Sequence, residues 1–257
     1  PRSFSALVYL TQVLQAEAMR VGVEHWRRIR ARCAGTLYWQ LNDCWPVASW
    51  SSIDYEGRWK ALHYASRRFY APVLLSIDDQ GDRMGLHVTN DSTVAWEGEV
   101  RWALETLAGE VLDGGVDRVA ALPTATTLVA VHDVGPGVTP GTRRSLVVVA
   151  ELWHDGTRRS LACVPLVPDK HLELRDPEIG LRVAPIVEDG EPRLEIRAVA
   201  GSLARFMELA LNGADVVFSD NYFDLPAGRE ARVTCPVPAG WTDEQAGSAV
   251  RIRSLFD

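Results

Sequence analysis

Lysine is almost missing from this sequence: of 27 basic residues only Lys60 and Lys170 are lysines, and the arginine excess reads as a composition bias. Acidic residues outnumber basic ones by 34 to 27, for a net charge of −7. With no basic stripe to displace counterions from phosphates, a nucleic-acid partner is excluded. Long apolar runs are missing too. A stretch such as Leu146 to Ala150 falls far short of the roughly 20 residues that cross a bilayer, so no membrane partner is expected. The four cysteines, Cys33, Cys44, Cys163 and Cys235, show neither C-x-x-C nor Cys/His ligand spacing, which argues against a structural zinc. Cys33 and Cys44 bracket a segment that would span roughly 20 Å when extended, too far for a disulfide. Four free thiols fit a reducing compartment, and a cytoplasmic location is the expectation. The histidines are scattered without paired spacing. No G-x-S-x-G elbow, G-x-G-x-x-G turn or phosphate loop occurs, so no cofactor and no metal are expected.

What the chain has in excess is tryptophan at one place: four of its nine, Trp39, Trp45, Trp50 and Trp59, fall within residues 39–59. Thr36, Leu37, Tyr38, Trp39 and Leu41 are β-branched, aromatic or apolar, with Gln40 polar among them. Bounded by Gly35 and by Asn42, Asp43 and Pro46, they predict a short buried strand. Trp59, Leu62, Ala65 and Phe69 follow at the spacing of one helix face. Strand, loop and helix form the repeating unit of α/β folds, whose sites lie at the carboxyl ends of the strands. Asn42, Asp43, Trp45 and Trp50 fall at that end. An indole buries a large apolar face and keeps an N–H for a partner, which suits the C–H face and hydroxyl rim of a sugar. Trp59 reads as structural from its helix position; Trp39, Trp45 and Trp50 stay open between platform and core.

LYWQLNDCWPVASWSSIDYEGRWKALHYASRRFYAP resembles the last strand and helix of the catalytic (β/α)8 barrel of the β-mannosidases of glycoside hydrolase family 2. The WQLND run, the WP step, the SWSSIDY segment and the KALHYASRRFYAP helix carry the resemblance. It implies that Trp39 is the strand-end tryptophan lining the pocket for the terminal sugar, with Asn42, Asp43 and Trp50 as further members. It also implies that the two catalytic glutamates, at the ends of the fourth and seventh barrel strands, lie on polypeptide before Pro1, so that this chain holds no catalytic residue. Retaining glycosidases need two carboxyl groups about 5–5.5 Å apart across the glycosidic bond. Asp43 with Asp54 or Glu56 would come from a single edge of the pocket and does not replace them. Hydrogen bonding to sugar hydroxyls or holding the loop suits Asn42 and Asp43 better, the second role Asp43 in particular.

Ser3 or Ser5 can cap a helix whose apolar positions Leu7, Leu10, Leu14, Ala18, Val21, Trp26 and Ile29 run to about Arg32, with a bend at Gly22 and a surface pair between Glu24 and Arg28. Glu17, Glu24 and His25 read as a solvated face. After Ala71-Pro72 the pattern becomes one of short strands: 73–77, 85–89, 97–104, 125–132, 145–153 and 160–167, parted by turns at Asp113-Gly114-Gly115, Gly135-Pro136-Gly137 and Asp155-Gly156. A proline cluster, Pro165, Pro168 and Pro177, precedes a second run: 181–187, 193–199, 204–211, 216–219, 230–235 and 249–254. FSDNYFDLPAG, residues 218–228, resembles a segment of the immunoglobulin-like C-terminal domain of the same β-mannosidases. Its Asp220, Asn221 and Asp224 lack the oxygen spacing of a calcium loop and read as turn chemistry.

The expected fold class is therefore multidomain α/β plus all-β, with the end of a (β/α)8 barrel (1–70) followed by two immunoglobulin-like β-sandwiches (71–167 and 168–257). The chain reads as a fragment of something longer, inactive alone, whose partner is the missing N-terminal part of the same polypeptide. Its expected role is the C-terminal portion of a retaining exo-β-mannosidase acting on terminal non-reducing β-D-mannosyl residues of a β-mannoside substrate. The alternatives are another family 2 exo-glycosidase, a β-glucosaminidase or β-galactosidase, or a non-catalytic carbohydrate-binding β-sandwich protein. In that last case Trp96, Trp102, Trp153 or Trp241 would be the platform, although their strand positions read as sandwich core.

Overall fold

A computed structural model of the chain describes residues 1–257. They form two compact units, one of Pro1–Met19, Tyr38–Ser66 and Arg175–Asp257, the other of Arg20–Leu37 and Arg67–Leu174. Helices α1 (Phe4–Arg28) and α2 (Ala61–Phe69) each give residues to both units. Each unit contains an immunoglobulin-like β-sandwich.

In the second unit the strands are β1 (Val73–Asp79), β2 (Arg83–Asn90), β3 (Trp96–Thr106), β4 (Val111–Ala121), β5 (Ala125–Asp133), β6 (Leu146–His154) and β7 (Thr157–Pro165). They make two antiparallel sheets, ordered β1-β2-β5 and β4-β3-β6-β7. Alternation of period two explains the core. Leu75 and Ile77 of β1, with Met84, Leu86 and Val88 of β2, pack with Val100, Trp102 and Leu104 of β3 and Val148, Ala150 and Leu152 of β6. Each fully buried leucine or valine there stabilises the sandwich by roughly 1.5–3 kcal/mol. Where Asp113-Gly114-Gly115 predicts a turn, the structure has the middle of β4, paired along β3. The glycines serve close packing: a Cβ on Gly114 would lie 2.7 Å from the Trp102 carbonyl oxygen, and one on Gly115 3.2 Å from the Trp102 indole nitrogen.

In the first unit, β8 (Gly180–Glu188), β9 (Glu191–Val199), β10 (Ala204–Leu211), β11 (Phe223–Leu225), β12 (Glu230–Pro236) and β13 (Val250–Arg253) form sheets ordered β12-β9-β8 and β11-β10-β13. Leu194 and Ile196, Met207 and Leu209, and Val233 and Cys235 fill the space between them. A short helix, α3 (Asp243–Ala249), adds Ala246; Thr242 and Gln245 close its first turn with a reciprocal capping box. The expected strand at 216–219 is absent. Its backbone is held otherwise, Phe218 N–H donating to the Tyr64 hydroxyl at 3.2 Å and Ser219 N–H to the Thr234 carbonyl at 2.7 Å. Asp220, Asn221 and Asp224 spend their oxygens on the chain itself: Asn221 Oδ1 accepts from Leu209 N–H at 2.7 Å, and Asp224 takes Phe206 N–H and the Arg205 guanidinium.

The strand expected at 36–41 does not form either. Only an isolated parallel bridge, Asn42 with Ile53, marks the place. A strand needs hydrogen-bonded neighbours along its length, whereas here backbone donors reach only the Gln40 and Leu41 carbonyls, from Ser52 and Ile53. Helix α1 is continuous through Gly22, with Ser3 Oγ accepting from Ala6 N–H at 3.1 Å. Its buried side is not the expected one. Tyr9, Val13, Ala16 and Val23 are buried, whereas Leu7, Leu14, Val21, Trp26 and Ile29 are exposed. Glu24, read as solvated, is buried; it pairs with Arg20 at 2.9 Å, while Arg28 goes to Asp78 at 3.3 Å. Arg27 donates to the carbonyls of Phe69 and Ala71 and to Asp91, closing the C-terminal end of α2.

Candidate functional site

The loop from Tyr38 to Lys60 owes its shape to hydrogen bonds rather than to a regular element. Ser52 is at its centre. Its N–H reaches the Gln40 and Leu41 carbonyls at 3.0 and 3.1 Å, its carbonyl accepts from Lys60 N–H at 2.9 Å, and its hydroxyl donates to the Leu41 carbonyl at 2.9 Å. Tyr38 and His63 complete the contact, the Tyr38 hydroxyl at 2.9 Å and His63 Nδ1 at 3.1 Å from Ser52 Oγ. Helix α1 holds the loop at its middle and at its exit into α2. The Gln15 side-chain amide donates to the Trp50 carbonyl at 2.7 Å, and Gln12 Oε1 accepts from Ala61 N–H at 3.0 Å.

Of the expected site residues, Asp43 is buried and fully engaged. Ser49 Oγ donates to its Oδ1 at 2.5 Å and Ser51 Oγ to its Oδ2 at 2.7 Å; Lys60 Nζ lies 3.3 Å from Oδ2 and 2.7 Å from Ser51 Oγ. The hydrogen bonds from Ser49 and Ser51, with the charge of Lys60, outweigh burial and hold the carboxyl below its usual 3.8. Asp54 is likewise committed. Burial pulls it upward, but Arg58, through its N–H and guanidinium, and Glu56 N–H bring it below the usual value. A general acid needs the opposite shift, and these two carboxylates are occupied in ordering their own turns.

The indoles behave differently. Trp39, Trp45 and Trp50 are 77%, 66% and 70% exposed, and Leu37, Leu41, Val47 and Tyr55 are exposed beside them in sequence. Asn42 is exposed as well, its amide donating to the Asp43 carbonyl at 3.1 Å. The structure thus brings Asn42 and Asp43 together at the bridge with Ile53 and leaves Trp39 and Trp50 with open faces. Trp59 is structural: its ring lies 4.3 Å from His63 and 5.2 Å from Tyr64 by centroids, against the core of its unit. Ser49, Ser51, Ser52, Lys60 and His63 were not singled out by sequence reasoning. Lys60 had a signal, being one of two lysines in an arginine-rich chain; the serines had none.

Such a loop can stack sugar rings on its indoles and meet hydroxyls with Asn42, but it carries no pair of free carboxylates. Residues 82–171 match the family described as the mannosidase Ig/CBM-like domain, and residues 174–257 match the Ig-fold domain of mannosidases. The chain is 28% identical over 276 residues to β-mannosidase A of Aspergillus clavatus, covering 99% of this chain and 29% of the relative. Against the β-mannosidase of Capra hircus it is 49% identical over 80 residues, 28% of this chain and 9% of the relative. In fold, 99% of it superposes on 30% of the crystal structure of the β-D-mannosidase from Dictyoglomus thermophilum, with a TM-score of 0.88 and 21% identity. The chain spans less than a third of the length of these relatives.

Proposed function

We propose that the chain is part of the C-terminal portion of a β-mannosidase of glycoside hydrolase family 2, as its two mannosidase-type Ig-like domains and its similarity to β-mannosidase A support, and that residues 1–70 are the closing segment of a (β/α)8 barrel. In this reading Trp39, with Asn42, Asp43 and Trp50, forms one wall of the pocket for a terminal non-reducing β-D-mannosyl residue. The reacting acids belong to polypeptide outside this chain, residues 71–167 and 168–257 are its two sandwich domains, and the chain alone is inactive. The observation that carries the reading is the pairing of a loop ordered by hydrogen bonds around Asp43 and Ser52 with large indoles left open. A loop with no binding partner gains nothing by holding three tryptophans in water, since exposed contiguous apolar surface marks an interaction site. Helix α1 supports the same reading: with one side packed in the chain and Leu7, Leu14 and Val21 exposed on the other, it is built to lie between two layers, as an outer barrel helix does. Within the pocket, Asp43 orders the loop and Asn42 meets sugar hydroxyls.

The test has two arms. The 257-residue chain incubated with an aryl β-mannoside should give no turnover, and clear hydrolysis by it would reject the proposal. In the full-length protein, Trp39→Ala should raise KM for that substrate about tenfold, the loss of one stacking contact; unchanged kinetics would remove Trp39 from the pocket.

A further inference from the structure

A second place where an indole, charged groups and a cavity coincide lies on the outer face of sheet β4-β3-β6-β7. Residues directly opposed in an antiparallel pair project from the same face. Glu99 of β3 is opposed by Arg118 of β4 on one side and by Trp153 of β6 on the other, so the three form a row across the sheet. Their neighbours Val100 and Leu152 point the other way, into the core. Trp153 is therefore not a core residue, contrary to the reading of its strand position. A cleft of ≈ 730 Å³ opens over this row, walled by Glu97, Glu99, Arg118 and Trp153 and, at the β6–β7 turn, by His154 and Asp155.

The cleft is ordered in advance of any ligand. Trp153 Nε1–H donates to Glu151 at 3.3 Å, and the Arg101 guanidinium lies 4.4 Å from the centroid of its ring, itself tied to Glu99 at 2.7 Å. His154 Nδ1–H donates to the Glu97 carbonyl at 2.6 Å. Gly98, which shares the core-facing side with Val100, lets the strands close up behind the cleft: a Cβ there would fall 2.3 Å from the Trp153 carbonyl oxygen and 2.5 Å from the Trp96 ring. The Arg118 guanidinium and the Glu97 carboxylate are both exposed, the ion pair on this face being that of Arg101 with Glu99.

This set of groups selects among ligand classes. Glu97, Glu99 and Asp155 against one free arginine disfavour an anion. A metal ion is disfavoured because one nitrogen of His154 is already spent on a carbonyl and no cluster of metal-ligating side chains forms here. With Glu99 held by Arg101 and Asp155 3.3 Å from His154 Nε2, a neutral polyol suits what is left: the Glu97 carboxylate accepts from hydroxyls, the Arg118 guanidinium donates to them, and the indole takes the apolar face of the ring. We propose that this cleft is a carbohydrate-binding subsite for a pyranose unit of a neutral oligosaccharide, with Trp153 as the stacking surface and Arg118 and Glu97 as its hydroxyl partners. It is separate from the Trp39 loop, and it stands or falls without the pocket proposed there.

Titration of β-1,4-mannohexaose into the 257-residue chain, followed by calorimetry, tests it. A single subsite of this make-up should bind with Kd of about 1 mM, and losing the ring contact or the arginine should weaken binding about tenfold. The expected result is that Trp153→Ala and Arg118→Ala each weaken binding to that extent while Trp39→Ala leaves it unchanged. No binding by the unaltered chain, or binding that survives both changes, overturns the proposal, as does binding lost only in Trp39→Ala. Should Trp153→Ala fail to fold, Arg118→Ala and Glu97→Gln decide alone, since both side chains are exposed and unpaired.

Discussion

Asp43 illustrates what a single residue does in this chain. Its place after a mostly apolar run, beside Asn42, drew it out of the sequence, and the donors around it are those of a residue that holds the loop. The donors themselves were not legible, for Ser49 and Ser51 look like any serines in a loop, and their convergence on one carboxylate depends on how the backbone returns toward Leu41. Because the folded carboxyl titrates below 3.8, its contribution to stability is present above that value and is lost as pH falls through the lower, folded one. Asp43→Asn should therefore destabilise the chain near neutral pH, where the amide cannot accept from Ser49, Ser51 and Lys60 together. The difference from the unaltered chain should shrink as pH falls below 3.8 and through the lower, folded value, where the native carboxyl is itself being protonated. Urea unfolding midpoints across that range measure it, and two curves that stay parallel would mean that the network does not hold the charge.

At the scale of elements, period-two alternation made most of both sandwiches readable, since 73–77, 193–199 and 204–211 fall within β1, β9 and β10. The failures share a cause: tertiary context overrides the local signal. Asp113-Gly114-Gly115 has the composition of a turn, yet it lies inside β4 because the Trp102 backbone and indole leave no room for side chains. The segment 36–41 has the composition of a strand, yet backbone donors reach only its last two carbonyls, those of Gln40 and Leu41. In α1 the longer aliphatic residues predicted the buried face, while Tyr9, Val13 and Ala16 occupy it. The glycine argument is testable. Gly114→Ala places a Cβ 2.7 Å from backbone that cannot yield and should cost about 1–3 kcal/mol. Gly35→Ala, which meets nothing within 4 Å, should stay within about 0.5 kcal/mol. Thermal unfolding of the two variants separates them, and equal midpoints would mean that β4 is not packed as described.

For the molecule as a whole, the decisive property is the apolar surface it leaves uncovered. Trp39, Trp45 and Trp50 belong to no core cluster, and Phe4, Leu7, Leu14 and Val21 add exposed apolar side chains along α1. If these indoles served the fold, replacing them would unfold the chain. If they serve contacts with substrate and with further polypeptide, replacement should leave stability alone and change only what adheres to the surface. Changing Trp39, Trp45 and Trp50 together to serine should shift unfolding by no more than about 0.5 kcal/mol, as for other exposed positions. The same change should cut binding of an apolar fluorescent dye and any concentration-dependent self-association of the isolated chain. A variant that loses its structure, or one that binds dye as strongly as before, would mean that the loop is not an open wall, and the sugar pocket proposed for it would have no surface to stand on.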